Sequence, residues 1–347
     1  MRYRDLFVAS CESWLPPPSP TAEAVRAGLC SLGLAKLTGV TAVRASAGEA
    51  PPEMAVLAGR TALDHSRHRP QDIDLLLHAA LLYQGHDMWA PASYVQREVV
   101  GNRCCLAIEI RQMSNGGMAA LELAAAYLSL PGRTAALLTA ADRFARPTFD
   151  RWGSDPGTFY ADGAAAMVLS RRDGFARLAS LASVSDPELE GMHRGDDPFA
   201  TAPLSTRPTI DLGACQKAFL AWRGHGWVSA RLRAGASLAL SQALATAGTG
   251  LEAIRWFVLP HLGQRRLTAN YIDGLGLDPE RTTAQWSREV GHLGPADQMA
   301  GLSHLCAEGL LSPGDRCVLM GVGAGFTWSC AVLEIIAPPP AAAGTPE

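Results

Sequence analysis

The feature that most limits the fold of this chain is an alternation, written twice, of short apolar runs with alanine-rich stretches. In the first series the apolar runs fall at residues 6–9, 73–78, 106–110, 134–140 and 164–170. In the second they fall at 256–260, 316–321 and 328–336, separated by helical stretches at 236–247 and 296–311. Short apolar runs spaced by helix-length segments predict an α/β protein with buried strands. The two series also end alike. Residues 135–139 lead through Ala161, Asp162 and Gly163 to a last strand at 164–169; residues 317–320 lead through a glycine-rich turn to a last strand at 329–333. A duplicated α/β unit fits this pattern. The expected organisation is a first half at 1–172, an irregular connection rich in Asp, Pro, Gly and Thr within 173–214, a second half at 215–336, and a disordered tail at 337–347.

The 347 residues, 48% of them hydrophobic and 18% charged, suffice for a large core or two packed halves. With a net charge of −3 and no basic run, nucleic acid is not an expected partner. Eight cysteines without a C-x-x-C pair read as buried free thiols, neither a disulfide frame nor a zinc site. No metal or cofactor is expected. The start of the chain lacks a signal-peptide apolar region, and no apolar run reaches membrane-spanning length. A soluble, unprocessed, cytoplasmic protein is the expectation.

Chemistry concentrates first at residues 111–117, between the apolar run that ends at Ile110 and an alanine-rich helix expected over 118–130 and stopped by Pro131 and Gly132. The run 104–110 reads as a buried strand. Ser114 then sits on a strand-to-helix turn beside Gly116 and Gly117. Free N–H groups and the helix dipole at such a turn can hold an oxyanion beside the serine oxygen, so a nucleophile fits. A plain helix N-cap fits as well.

Two histidines follow strands in the second half. His261 comes just after the run 256–260, and His292 precedes a helix beginning near Pro295. Asp297, five residues beyond His292 across a Gly-Pro turn, can return to the imidazole and fix its tautomer, as the third member of a serine triad does. Asp297 can equally be a first-turn acid that favours the helix dipole. The glycines at 321, 323 and 325 imitate a dinucleotide fingerprint, but a strand follows them where a helix would be needed, so a tight turn approaching a ligand is the better reading. There is no P-loop, no H-E-x-x-H, and Ser114 is not within G-x-S-x-G.

Together these segments resemble the β-ketoacyl-acyl-carrier-protein synthase III family of the thiolase superfamily. Residues 13–16 (S-W-L-P) are similar to its G-S-Y-L-P turn, 38–40 to T-G-I, and 71–75 to D-x-I-D-L. Asp162, Gly163 and Ala164 match G-D-G-A, and 321–328 match G-x-G-G-G-x-T-W. The resemblance covers nearly the whole chain. It implies a thiolase-like five-layered α-β-α-β-α fold of two duplicated halves, a homodimer, and an acyl group held covalently where the central helix opens. It also implies an oxyanion hole from the backbone N–H groups of Ser114 and Ala324.

The departures from the family pattern bear on the reaction. Serine stands at 114 where the family has cysteine; Leu262, Gly263 and Gln264 follow His261 where the family has H-Q-A-N; and His292 replaces the asparagine of G-N-T-S. These changes are similar to a branch of synthase III-like acyltransferases in polyketide and aminocoumarin-type pathways. They imply transfer of an acyl group through Ser114 to a hydroxyl or amine, with His292 as base, Asp297 orienting it and His261 moving protons or polarising the thioester. The family's coenzyme A-stacking tryptophan and arginine are replaced by Gly33 and Leu37, which favours an acyl carrier protein over acyl-CoA as donor. His193 is expected on the acceptor side, and Met88 and Trp89 on the acyl or dimer side. Starter-unit condensation with a malonyl carrier protein through His261 and His292, and a non-enzymatic scaffold, are the alternatives.

Overall fold

Every expected apolar run becomes a strand, and the pattern of burial shows what selected them. The computed structural model describes residues 1–3 and 5–340. Its main sheet contains β1 (Phe7–Trp14), β2 (Ile73–Ala79), β3 (Leu106–Ile110), β4 (Ala135–Asp142), β5 (Gly163–Ser170), β6 (Ala176–Ser185), β7 (Trp256–Val258), β8 (Arg316–Gly323) and β9 (Thr327–Ile335). The principal helices are α1 (Pro51–His65), α2 (Gly116–Leu128), α3 (Leu212–Arg223), α4 (His225–Ala247) and α5 (Asp297–Ala307).

The strand order is β3-β2-β4-β5-β1-β6-β9-β8-β7. Between β1 and β6 the ladder is only two residues deep, Phe7 and Val8 against Arg177 and Ala176, so the sheet divides there into two halves. In the first half β3, β2 and β4 are parallel, with β5 antiparallel to β4 and β1 antiparallel to β5. The second half repeats this, with β7 parallel to β8, β9 antiparallel to β8, and β6 antiparallel to β9. A single parallel bridge from Phe257 to Thr282 stands where β3 stands in the first half.

Helix α1 covers the outer face of β1, β4 and β5, and α4 covers the outer face of β6 and β9. Helices α2 and α5 lie between the half-sheets and touch both. This gives five layers, as expected. Strands buried on both faces must be apolar at consecutive positions: in β5, Ala165, Met167 and Leu169 face the central layer while Ala164, Ala166 and Val168 pack under α1. In β9, Ala331 and Leu333 face the centre while Cys330 and Val332 pack under α4.

Three expectations need correction. Residues 173–214 are not irregular throughout: the ten-residue β6 opens them, so the second half starts at Ala176 and not at 215. Its alternation of Ala and Ser hid it, because small residues are chosen for close packing under α4, where Ser180 Oγ donates to the Ala243 carbonyl at 2.7 Å. The strand at 106–110 is not buried: β3 is the sheet edge, with Leu106 and Ile108 exposed. All eight cysteines are free, but Cys104 is exposed and Cys306 only partly buried. The tail expected at 337–347 lies outside the described residues from 341 onward. No helix among the described residues is long and apolar enough to cross a membrane.

The central layer depends on close backbone approach. A Cβ at Gly117 would lie 2.3 Å from the Pro295 carbonyl oxygen, so the starts of α2 and α5 can meet only with glycine there. Gly117→Ala should lower stability by about 1–3 kcal/mol, read by denaturant unfolding. Wild-type stability in that variant would show that the two helix starts do not need this contact.

Candidate active site

The duplication brings equivalent loops together. Those leading into α2 and α5 meet at the middle of the molecule, and each supplies one side of a hydrogen-bonded chain. Helix α2 starts at Gly116 with Asn115 as its N-cap, so Ser114 stands one residue before the cap and is free of that task. Met113 adopts φ of 49°, a left-handed conformation that strains a side-chain-bearing residue and turns the chain sharply just before Ser114. The glycine-rich turn backs this corner. A Cβ at Gly323 would lie 2.4 Å from the Gln112 carbonyl oxygen, which fixes glycine at that position.

Ser114 Oγ lies 2.7 Å from His292 Nε2, and His292 Nδ1 lies 2.6 Å from Asp297 Oδ2. Since the ionised carboxylate can only accept, His292 carries a proton on Nδ1, and in the neutral ring Nε2 is then the nitrogen that accepts from the serine hydroxyl. The ring is clamped from the first half of the chain: the His292 N–H donates to the Phe159 carbonyl at 2.9 Å, the Ala161 N–H donates to the His292 carbonyl at 2.8 Å, and the Tyr160 ring packs edge-on at 4.9 Å.

Asp297 is fully buried at the start of α5. Its Oδ1 accepts from the Leu293 N–H at 2.8 Å, and its Oδ2 accepts from the His261 N–H at 2.7 Å as well as from His292. Burial is the largest influence on the carboxyl and raises its pKa. The facing His261 and His292 rings, with the hydrogen bonds from His292 and the His261 N–H, together outweigh that and hold it below the ordinary range.

His261 departs from its expected place. Its side chain has no exposed surface; Nδ1 donates to the Gly291 carbonyl at 3.0 Å and lies 3.3 Å from Asp297 Oδ1, while Nε2 has no partner among the described residues. Burial pushes its pKa down, which favours the neutral ring. Lying behind Asp297, it is positioned to fix the carboxylate, and it is not among the residues that line the cavity in front of Ser114.

That cavity is lined by Ser114, His292 and Ala324, with Leu262 and Trp328 among its apolar walls. His193 lines it as expected, partly exposed, with burial lowering its pKa. Met88 and Trp89 do not. Met88 is fully exposed and Trp89 packs at the surface against His86 and Tyr94, because the segment before residue 91 runs outward as a loop. Sequence reasoning missed an ion pair in the wall: the partly exposed Arg266 donates through Nη1 to Oδ2 of the buried Asp155 at 2.7 Å. No local signal marks these residues, which come from segments 111 positions apart. Chemically, the chain of groups can take the serine proton onto His292 as Oγ attacks a carbonyl, with Asp297 balancing the imidazolium.

Residues 108–187 match the family model of 3-oxoacyl-[acyl-carrier-protein] synthase III, and residues 244–335 match the model of the C-terminal part of the same family. A 3-oxopimeloyl-[acyl-carrier-protein] synthase of Rhodothermus marinus is 30% identical over 82% of this chain and 79% of its own. A β-ketoacyl-[acyl-carrier-protein] synthase III of Rhizorhabdus wittichii is 26% identical over 84% and 86%. The solved structure of ChlB3, named an acyltransferase, superposes with a TM-score of 0.92 at 35% identity, over 97% of this chain and 99% of that one.

The depressed pKa of Asp297 has a signed consequence. Its stabilisation of the fold is full above the ordinary aspartate pKa of about 3.9 and is lost as pH falls through the lower folded value. The stability difference between wild type and Asp297→Asn, from unfolding at a series of pH values, should therefore be constant near neutrality and shrink below about pH 4. A difference independent of pH down to about 2 would contradict the assignment.

Proposed function

The chain belongs to the 3-oxoacyl-[acyl-carrier-protein] synthase III family, and from that premise we propose that it is an acyltransferase working through a Ser114 ester. The donor is an acyl carrier protein or acyl-CoA thioester. The acceptor is a hydroxyl or amine, within secondary-metabolite assembly of the polyketide type. The relay from Ser114 through His292 to Asp297 carries this reading; the acyltransferase name of the solved relative and the serine in place of cysteine agree with it.

In the first half-reaction Ser114 Oγ attacks the thioester carbonyl while its proton passes to His292 Nε2. N–H groups of Ser114 and Ala324 are the proposed oxyanion donors. Collapse breaks the carbon–sulfur bond, and the leaving thiolate takes the proton from His292. In the second, the acceptor attacks the ester as His292 removes its proton, and that proton returns to Ser114 Oγ when the carbon–oxygen bond breaks. Asp297 keeps the imidazole in one tautomer throughout, and His261 serves as a positioning residue for Asp297.

The alternative, decarboxylative condensation, requires donors aimed at a developing thioester enolate. His292 Nε2 lies within hydrogen-bond reach of Ser114 Oγ, and the His261 ring has no exposed surface. Both features favour acyl transfer. A scaffold role would leave no reason for a buried carboxylate to hold an imidazole against the serine.

Intact-mass measurement with acyl-carrier and acyl-CoA donors should show an adduct on wild type that disappears in Ser114→Ala, with turnover reduced by about 10³-fold or more. Turnover unaffected by Ser114→Ala would sink the proposal. Carbon dioxide release from malonyl carrier protein without acylation of an alcohol or amine would establish condensation in its place.

The exposed edge strand β3 supports the proposed homodimer, because Leu106, Ile108 and an open row of backbone groups invite a second copy. Ile108→Asp should shift sedimentation from dimer to monomer. A wild type that is monomeric at micromolar concentration would refute this assembly.

A further inference from the structure

The cavity in front of Ser114 has a polar wall whose hydrogen-bonding capacity is only half used. Arg266 donates to Asp155 Oδ2 and Thr158 Oγ1 through Nη1, and to Gln216 Oε1 through Nη2 at 2.9 Å. A guanidinium has no acceptor, so Gln216 must turn its carbonyl oxygen to Arg266 and its NH2 group away. Asn270 is oriented by the same logic: its Nδ2 donates to the Arg266 backbone carbonyl at 3.0 Å, which directs Oδ1 elsewhere. Among the described residues, Gln216 Nε2, Asn270 Oδ1 and His193 Nε2 have no protein partner, yet all three remain accessible, whereas His193 Nδ1 is sealed.

A second observation comes from the backbone. The helix beginning at Gln264 widens to π-type hydrogen bonding over Thr268–Ile272, and that turn carries Asn270 and Tyr271 into the cavity wall. Such widening worsens helix geometry and is found mostly at functional sites.

The charges of Asp155 and Arg266 offset each other, which leaves the wall neutral but rich in directional groups. A carboxylate would meet Asp155 and the Asn270 oxygen; an ammonium group would meet Arg266. A hydroxyl, which donates and accepts at once, matches the NH2 of Gln216, the carbonyl of Asn270 and the imidazole nitrogen of His193.

We infer that this wall recognises a neutral, hydroxyl-bearing part of a substrate, with His193, Gln216 and Asn270 as the specificity-determining residues. The inference rests on the acyl-transfer reading for its place in the reaction, since the same cavity holds Ser114. The hydroxyl-bearing part belongs to either the acyl donor or the acceptor, and two arms of one experiment separate them.

Binding is measured by calorimetry on Ser114→Ala protein, which cannot turn over. The donor arm compares 3-hydroxybutyryl with butyryl N-acetylcysteamine thioester; the acceptor arm compares cyclohexane-1,2-diol with cyclohexanol. In one arm the hydroxylated compound should bind about five- to tenfold more tightly. Adding His193→Phe or Asn270→Ala should bring that ratio close to one, and His193→Gln should restore most of it. Equal affinities in both arms, or a ratio that none of these variants changes, would overturn the inference. A preserved ratio with no Ser114 adduct on wild type would instead overturn the acyl-transfer reading and leave the recognition site standing.

Discussion

Asp297 is the group around which the site is organised. One carboxylate receives the ring of His292, the backbone of His261 and the backbone of Leu293, and so ties two loop segments to the start of α5. A buried carboxylate left without partners would cost several kcal/mol, so each of these donors is held as firmly as the charge demands. Because the charge cannot donate, it also fixes which imidazole nitrogen carries a proton. The tautomer of His292, and with it the ability to accept the serine proton, follows from burial and hydrogen-bond capacity.

The duplication explains why this convergence is possible. Each half ends its parallel strands at a loop that enters a central helix, and stacking the halves back to back sets the two loops against each other. One loop supplies Ser114 and the other supplies His292 and Asp297. The requirement for glycine at 117 and 323, where backbone presses on backbone, is the steric counterpart of that arrangement. Ser114 is held at a strained corner by Met113, and the strain is borne because the glycine-rich turn behind it leaves the chain no room to relax.

Much of this was legible in the residues. The apolar runs marked eight of the nine main-sheet strands, the matching ends of the two series announced the repeat, and the spacing of His292 and Asp297 across a Gly-Pro turn suggested their contact. The failures have common causes. β6 was hidden because alanine and serine carry little hydrophobic signal, although they are what lets α4 approach the sheet. β3 was read as buried because an apolar edge strand has the same local pattern as an interior one. Met88 and Trp89 were expected on the acyl or dimer side, and the acyl half of that expectation fails because bulky apolar residues in a loop do not reveal which way the loop runs.

By itself the sequence determined the layered α/β class, the two halves and the residues able to act as nucleophile, base and orienting acid, since these depend on periodicity and on short-range chemistry. It left open whether Ser114 caps the central helix, and it expected His261 to move protons or polarise the thioester. Tertiary structure settled the cap. Asn115 takes the cap position and Ser114 faces an imidazole 178 residues away, while His261 is turned behind Asp297. It also decided the polar wall, because Asp155 and Gln216 come from segments far from Arg266 and Asn270 and are oriented only when the Arg266 guanidinium joins them. Which atoms remain unpartnered is a property of the packed molecule, set by which donors and acceptors find each other after the chain has folded.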